Sequence, residues 1–437
     1  MASDSISLPS GGTPASNSSL SPVAASSRVF GTRDHAALWL SMGVGLLVMQ
    51  VGSYLVPALG TQQALAMIVI GSILGAGLLA WTAKLGCDSG LSSAGLMHAT
   101  YGSAFARLPV LLNIVQLIGW TTFELVVMRD GTVAIARQGG TATSALWPLL
   151  ATLLWGGVIA ALMAGTMVGL VRKFIGRFGL PLVILSLLWL TWQFLQRAQA
   201  QGFEALWNRP GTGGMSGLQA LDLVIAMPVS WLPLVADFAR HGRDGRGTLR
   251  GTWLGYAVAN TWCYGLGVLV VLTTPAGTDL VTALLLAQGG LLALGLVLID
   301  EVDNAYGDVY SGSVAAHSLL PGWTLRRWGL VLVALCTLLA LFLPMHSLEP
   351  FLLMLSSVFV PLYGVILARL SGLGTRVAGL QSRKVDASAV AIWFAGIACY
   401  HLLAQFAPQW GAALPTLALT FIAARLSRAR AFSPATA

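Results

Sequence analysis

Charge is what this sequence has least of. Of its 437 residues only 9% are charged and 56% are hydrophobic, whereas a soluble domain carries roughly 25% charged residues. So little charge leaves no polar coat for a water-soluble fold of this length. Cysteine is sparse too: Cys87, Cys263, Cys336 and Cys399 stand far apart without a CxxC pair, so neither a disulfide framework nor a thiolate metal site is implied. The six histidines make no metalloprotease or triad spacing, which removes the usual catalytic constellations. No Gly-rich phosphate loop ending in Gly-Lys-Ser or Gly-Lys-Thr is present, which argues against an ATP-driven pump. We therefore expect no enzyme, no cofactor and no resident metal. Residues 1-35 are rich in Ser, Gly, Pro and Ala and lack the apolar core of a secretory leader, so a disordered cytoplasmic tail is expected there.

What the chain does have is apolar runs of ~20 residues, the length that crosses ~30 Å of hydrocarbon. They fall at 36-57, 63-83, 106-136, 143-165, 176-197, 218-239, 251-273, 280-311, 327-344, 348-368, 388-406 and 411-426, an all-α integral membrane protein of about twelve transmembrane helices. The net charge of +8 sits in short segments between these runs, as the positive-inside rule requires, and does not point to nucleic acid. Arg137, Arg197 and Arg209 fall on one side, Arg129 inside a span, and the other 20 of the 24 Lys and Arg on the opposite side, among them Arg172, Lys173 and Arg177. That bias places both termini, including a short tail at 427-437, in the cytoplasm. Short loops and compact tails favour a bacterial inner (plasma) membrane, and no obligatory protein partner is evident.

Helix-breaking residues recur five spans apart. The first span contains Gly43, Gly45, Gly52 and Ser53 ahead of Pro57, and the sixth contains Pro228 and Pro233 around Trp231. Interrupted helices at corresponding places in two halves point to an inverted-repeat architecture with a binding site near the bilayer midplane. The halves are 36-200 and 218-370, with two additional helices at 388-426. The alternative is ordinary tolerance of Gly and Pro in membrane helices.

Ionisable groups in a membrane cost about 2.5 to 3.5 kcal/mol each on insertion scales, so each needs a cavity or a partner. Glu124, Asp130, Asp222, Asp237, Asp300, Glu301, Asp303 and Asp308 fall in spans. One helical turn separates Trp120 from Glu124, so both project from one face. An indole that stacks on a flat ring beside a carboxylate that accepts from the ring edge resembles half of a base-recognition site. The alternative is a lipid-facing Trp120 and a Glu124 paired with Arg129 or with another span. Trp231, beside a proline-disrupted backbone, offers a second stacking face. Asp237 and Arg240, three apart, read as a helix-end ion pair. In the eighth span Asp300, Glu301, Asn304 and Asp308 share an arc of about 100° with Asp303 about 60° beyond it. Such a cluster suits a coupling cation, or a proton held between neighbouring carboxylates; the alternative is a salt-bridge network with loop arginines.

Gly119-Trp120 with Glu124, the run Ser230-Trp231-Leu232-Pro233-Leu234-Val235-Ala236-Asp237-Phe238-Ala239-Arg240, and Asp300-Glu301-Val302-Asp303-Asn304 followed by Tyr310-Ser311 together resemble the nucleobase:cation symporter-1 family. Within it the chain is most similar to hydroxymethylpyrimidine transporters related to cytosine permease, from about residue 30 to 370. The resemblance implies a LeuT-like fold of two inverted five-helix repeats plus two C-terminal helices, working by alternating access, with the ring sandwiched between Trp120 and Trp231. Gln50, Gly52 and Asp308 join the implied substrate-binding set, and Asp303, Asn304, Met49 and Gly52 the implied cation-coupling set. Sodium-coupled hydantoin carriers of the family have Gln where Glu124 stands. An ionised Glu only accepts hydrogen bonds, so it favours a ring edge with an amino group, as in a thiamine-related aminopyrimidine or cytosine. Asp303 and Asn304 stand where the family's sodium site has hydroxyls, which fits a proton at least as well as Na+. An amino-acid or other small-amine symporter of the same fold, and a receptor that binds without transport, are the other readings.

Overall fold

The computed structural model describes residues 19–141, 144–165, 179–343, 345 and 347–431. Among them eight helices are long and apolar enough to cross a bilayer, and a bent pair makes a ninth span. Two shorter apolar helices are Leu146–Leu162 and Ala413–Ser427, which we count as spans. The helix Gly290–Leu319 is 30 residues long and carries Asp300, Glu301, Asp303 and Asp308. Twelve spans result.

Span 1 is Thr32–Ser41 and Leu46–Tyr54, bent by 64° between its halves. Spans 2 to 5 are Thr61–Ser89, Arg107–Gln138, Leu146–Leu162 and Leu180–Ala200. Span 6 is Gly217–Ser230 and Leu232–Ala239, joined at Trp231. Spans 7 to 12 are Gly245–Thr273, Gly290–Leu319, Leu325–Phe342, Leu348–Leu370, Ala387–Phe406 and Ala413–Ala431. The apolar window of span 6 is 89% buried and that of span 11 only 22%. Span 6 is thus enclosed by protein, while span 11 faces lipid. Both described chain ends lie at one face of the bundle: Ser19 bonds His317 at the end of span 8, and Ser427 accepts from Arg369 at the end of span 10.

Both breaks have local causes. In span 1 the chain leaves helical geometry from Met42 to Gly45. A Cβ on Gly45 would meet the Glu301 carboxylate at 2.9 Å, so glycine lets the break approach span 8 closely. In span 6, Pro233 has no N–H, and the Leu234 amide turns to the Trp231 carbonyl at 3.2 Å. The Ser230 carbonyl is thereby free for a side chain, and Gln116 Nε2 donates to it at 3.2 Å. An interrupted membrane helix is stable where a neighbour re-satisfies its backbone in this way.

Several expected boundaries move. The run read as one span at 280-311 is a short helix, Leu280–Leu285, then a turn and the span Gly290–Leu319. Gly289, at φ +68°, reverses the chain between them, and both pieces are too apolar for composition to separate. Residues 19-35 are not a loose tail. The Phe30 amide donates to the His241 carbonyl at 2.9 Å, the Arg243 amide donates to the Phe30 carbonyl at 2.9 Å, and span 1 starts at Thr32. At the other end span 12 continues to Ala431, so only 432–437 of the second expected tail lie outside the described residues. Arg172, Lys173 and Arg177 lie outside them too.

Candidate functional site

Span 3 presents Asn113, Gln116, Trp120 and Glu124 at helical spacing, all of them buried. Asn113 donates to the Pro233 carbonyl at 2.9 Å and Gln116 to the Ser230 carbonyl. Two amide side chains therefore fasten this face to the break of span 6 and fix the segment carrying Trp120 against the one carrying Trp231. Asn113 and Gln116 were not among the expected site residues. The sequence signal was present, since both lie on the Trp120 face, yet an uncharged amide in a membrane helix stands out less than a carboxylate.

Trp120 is 5% and Glu124 3% exposed, so neither faces lipid. Trp120 packs edge-on against Phe351 of span 10, with ring centroids 5.2 Å apart. Trp231 packs edge-on against Trp39 at 6.0 Å, just before the break of span 1. Among the described residues neither buried indole N–H has a hydrogen-bond acceptor. Glu124 does not pair with Arg129, whose guanidinium binds Asp130 at 2.7 Å and the Ala340 carbonyl at 2.7 Å. One Glu124 carboxyl oxygen is buried without a partner. Buried polar atoms are usually satisfied, so these groups have hydrogen-bonding capacity left for a ligand.

Span 8 turns its carboxylates onto the break of span 1. The Ser41 hydroxyl lies 2.7 Å from Asp303 Oδ2 and 3.1 Å from Asp300 Oδ1. Glu301 accepts from the Leu46 amide at the start of the second half-helix, where the helix dipole favours an anion. Asn304 Nδ2 donates to the Val44 carbonyl at 3.1 Å. Glu124 lies within electrostatic reach of Asp308, Glu301 and Asp303. Asp308, two turns beyond Glu301, instead turns into a narrow crevice with Thr121 and Cys336 between spans 3 and 9. Among the described residues no Lys or Arg pairs with the four span 8 carboxylates, so the alternative network with loop arginines is not seen there.

Three expected residues sit elsewhere. Met49 and Gly52 belong to a regular helix, Leu46–Tyr54, not to the break. A Cβ on Gly52 would fall 2.2 Å from the Tyr264 carbonyl, and one on Gly267 would fall 2.0 Å from the Met49 carbonyl. These glycines seat span 1 against span 7, and the freed backbone lies seven residues earlier than the Met49 to Gly52 expectation. Gln50 lines a cavity of about 350 Å3 with Leu46, Phe123, Asp130 and Met345, on the face opposite the chain ends. The expected ion pair of Asp237 with Arg240 is also replaced. Asp237 accepts from the Ser93 amide at 3.0 Å, whereas Arg240 donates to the Asp237 main-chain carbonyl at 3.3 Å and to Tyr310 at 3.3 Å.

The arrangement offers two buried indoles, a buried carboxylate one turn from the first of them, and a carboxylate cluster at a broken helix. Among solved structures, Mhp1, a nucleobase-cation-symport-1 family transporter in a closed conformation with bromovinylhydantoin bound, is similar with a TM-score of 0.80 and 16% identity, covering 95% of this chain and 94% of that one. Mhp1 in an inward-facing conformation is similar at a TM-score of 0.75 and 17% identity over 95% and 92% of the two chains. A Na+-coupled sialic acid symporter in a substrate-bound outward-open state follows at a TM-score of 0.60 and 13% identity, over 94% and 91%. No curated protein sequence matches significantly. The family model described as permease for cytosine/purines, uracil, thiamine and allantoin matches residues 22–422, and this chain, a multi-pass membrane protein and not an enzyme, belongs to that permease family.

Proposed function

We propose that this permease imports a small planar aminopyrimidine, such as hydroxymethylpyrimidine or cytosine, by proton symport through alternating access. It works in an inner (plasma) membrane with both termini cytoplasmic, and its two inverted halves are spans 1 to 5 and 6 to 10. The observation that carries the substrate class is Glu124, buried beside Trp120 with a carboxyl oxygen that no protein donor satisfies. A ring held between Trp120 and Trp231 turns its edge toward that carboxylate. An exocyclic amino group donates to it, whereas the carbonyl of uracil or hydantoin repels it.

The Ser41 contacts support a proton as the coupling ion. A hydroxyl has one hydrogen, so its approaches to Asp303 and Asp300 are both hydrogen bonds only when one carboxyl carries a proton and donates back. The Val44 carbonyl accepts from the Asn304 amide, and the positions beside it on span 8 bear carboxylates, which can hold a proton where a hydroxyl cannot.

The test is uptake of labelled hydroxymethylpyrimidine into proteoliposomes under an inward proton or sodium gradient. We expect proton-driven uptake that excess cytosine blocks and uracil or hydantoin does not. Glu124→Gln should lower it roughly 10-fold or more, the worth of a charge-assisted hydrogen bond. Native uptake unaffected by Glu124→Gln would remove that residue from the site, and no uptake under either gradient would reject the aminopyrimidine.

A further inference from the structure

A second charged region lies far from the carboxylates, where spans 10, 11 and 12 end at the face holding both chain ends. A cavity of about 660 Å3 opens there. Its polar wall carries Arg369, Arg376 and Arg383 against a single acid, Asp386, and its apolar wall includes Leu373 and Val385. Asp386 binds Arg369 and lies 3.5 Å from Arg383. One carboxylate among three guanidiniums leaves the cavity positively charged. Arg376 and Arg383 are exposed at its rim, and Arg369 is largely buried at its base.

The rim is a built wall. Ser103 and Ala104 amides donate to the carbonyls of Arg383 and Lys384 at 2.7 and 2.9 Å, and the Asp386 amide donates to the Tyr101 carbonyl at 3.0 Å. Gln381 Nε2 lies 3.3 Å from both the Leu20 and Gly95 carbonyls. The loop between spans 10 and 11 is thus pinned to the segment after span 2, and its arginines are held in place. In the orientation proposed above, this face meets the inner leaflet, whose surface is rich in anionic lipid.

We propose that this pocket binds the phosphate of an anionic phospholipid from the cytoplasmic leaflet, with Arg376 and Arg383 on the phosphate and Leu373 and Val385 along the glycerol and first acyl carbons. Guanidiniums recognise phosphate oxygens bidentately, and basic pockets between membrane helices at this level take lipid head groups. A free phosphate would use the guanidiniums and leave the apolar wall unused.

Native mass spectrometry of protein taken from vesicles of equal phosphatidylglycerol and phosphatidylcholine reads the site directly, independently of transport. The native chain should retain phosphatidylglycerol over phosphatidylcholine. The double variant Arg376→Gln/Arg383→Gln should lower that retention about 30-fold, and Arg376→Lys/Arg383→Lys, which keeps the charge without the bidentate fork, should restore it only in part. Both positions are exposed, so an unchanged thermal midpoint confirms that the fold is intact. Equal retention of the two lipids, undiminished retention in the Gln variant, or displacement of the lipid by millimolar inorganic phosphate would each overturn the proposal.

Discussion

Span 8 and the loop between spans 10 and 11 handle charge in opposite ways. Among the described residues span 8 buries Asp300, Glu301, Asp303 and Asp308 with no guanidinium paired to them, whereas the loop and the end of span 10 gather three arginines around one aspartate at the water boundary. A carboxylate in the membrane interior with no cation beside it is costly, and it persists where a proton or a ligand completes it. An arginine at the boundary is cheap, and its excess costs nothing until an anion arrives. The contrast separates a region that must be filled to be stable from one that waits for a partner.

Substitutions can break that contrast. The largest effect should come from Asp303→Asn, which keeps the shape of the Ser41 contact and removes the titrating group. Proton-driven accumulation, worth about tenfold per pH unit for one proton, should fall to the equilibrium level while substrate exchange persists. Accumulation that survives would place the coupling elsewhere. The double Arg376→Gln/Arg383→Gln variant should accumulate substrate normally in neutral lipid. Next, Trp120→Ala should weaken half-saturation roughly 5- to 150-fold, the range for losing one ring from a stack. An unchanged half-saturation would mean the indole only packs on Phe351. Gly45→Ala should then cost about 1 to 3 kcal/mol by overpacking, since its Cβ meets the Glu301 carboxylate; a thermal midpoint equal to the native one would show that Glu301 can yield.

The smallest effect concerns Asp386, which lies outside the spans. Burial alone would raise its pKa, but the Ala389 amide, the Ser388 hydroxyl and the Arg369 guanidinium outweigh this and hold it below the ordinary aspartate value. A depressed folded-state pKa contributes stability that is present above the unfolded pKa and lost as pH falls through the folded one. Thermal unfolding should therefore show the native chain losing stability in that acid window. Asp386→Asn, which keeps the helix cap without the charge, should lose less; identical acid profiles would contradict the assignment.

Twelve spans, their all-helical class and the two breaks were legible because lipid demands long apolar runs and punishes stray Gly and Pro. The position of the first break was not. Gly43, Gly45 and Gly52 look alike in sequence, yet Gly45 meets a carboxylate and Gly52 a tyrosine backbone, a distinction made only by what packs opposite. Trp120 and Glu124 were legible as one face because helical spacing suffices. Their fastening through Asn113 and Gln116 was not, since it depends on the Pro233 and Ser230 carbonyls of another helix. Asp308 shared an arc with its neighbours on span 8 but met different helices two turns along, which no single-helix projection reveals. The arginine pocket gathers residues from three spans and two loops, and nothing local in the sequence announces it.

Equilibrium binding of cytosine and uracil to purified native and Glu124→Gln protein, followed by tryptophan fluorescence, tests the central claim most directly. The account predicts that the native protein prefers cytosine at least about tenfold, the value of one charge-assisted hydrogen bond, and that Glu124→Gln brings the ratio near unity. Equal affinities in the native protein, or a cytosine preference that survives in Glu124→Gln, would contradict it.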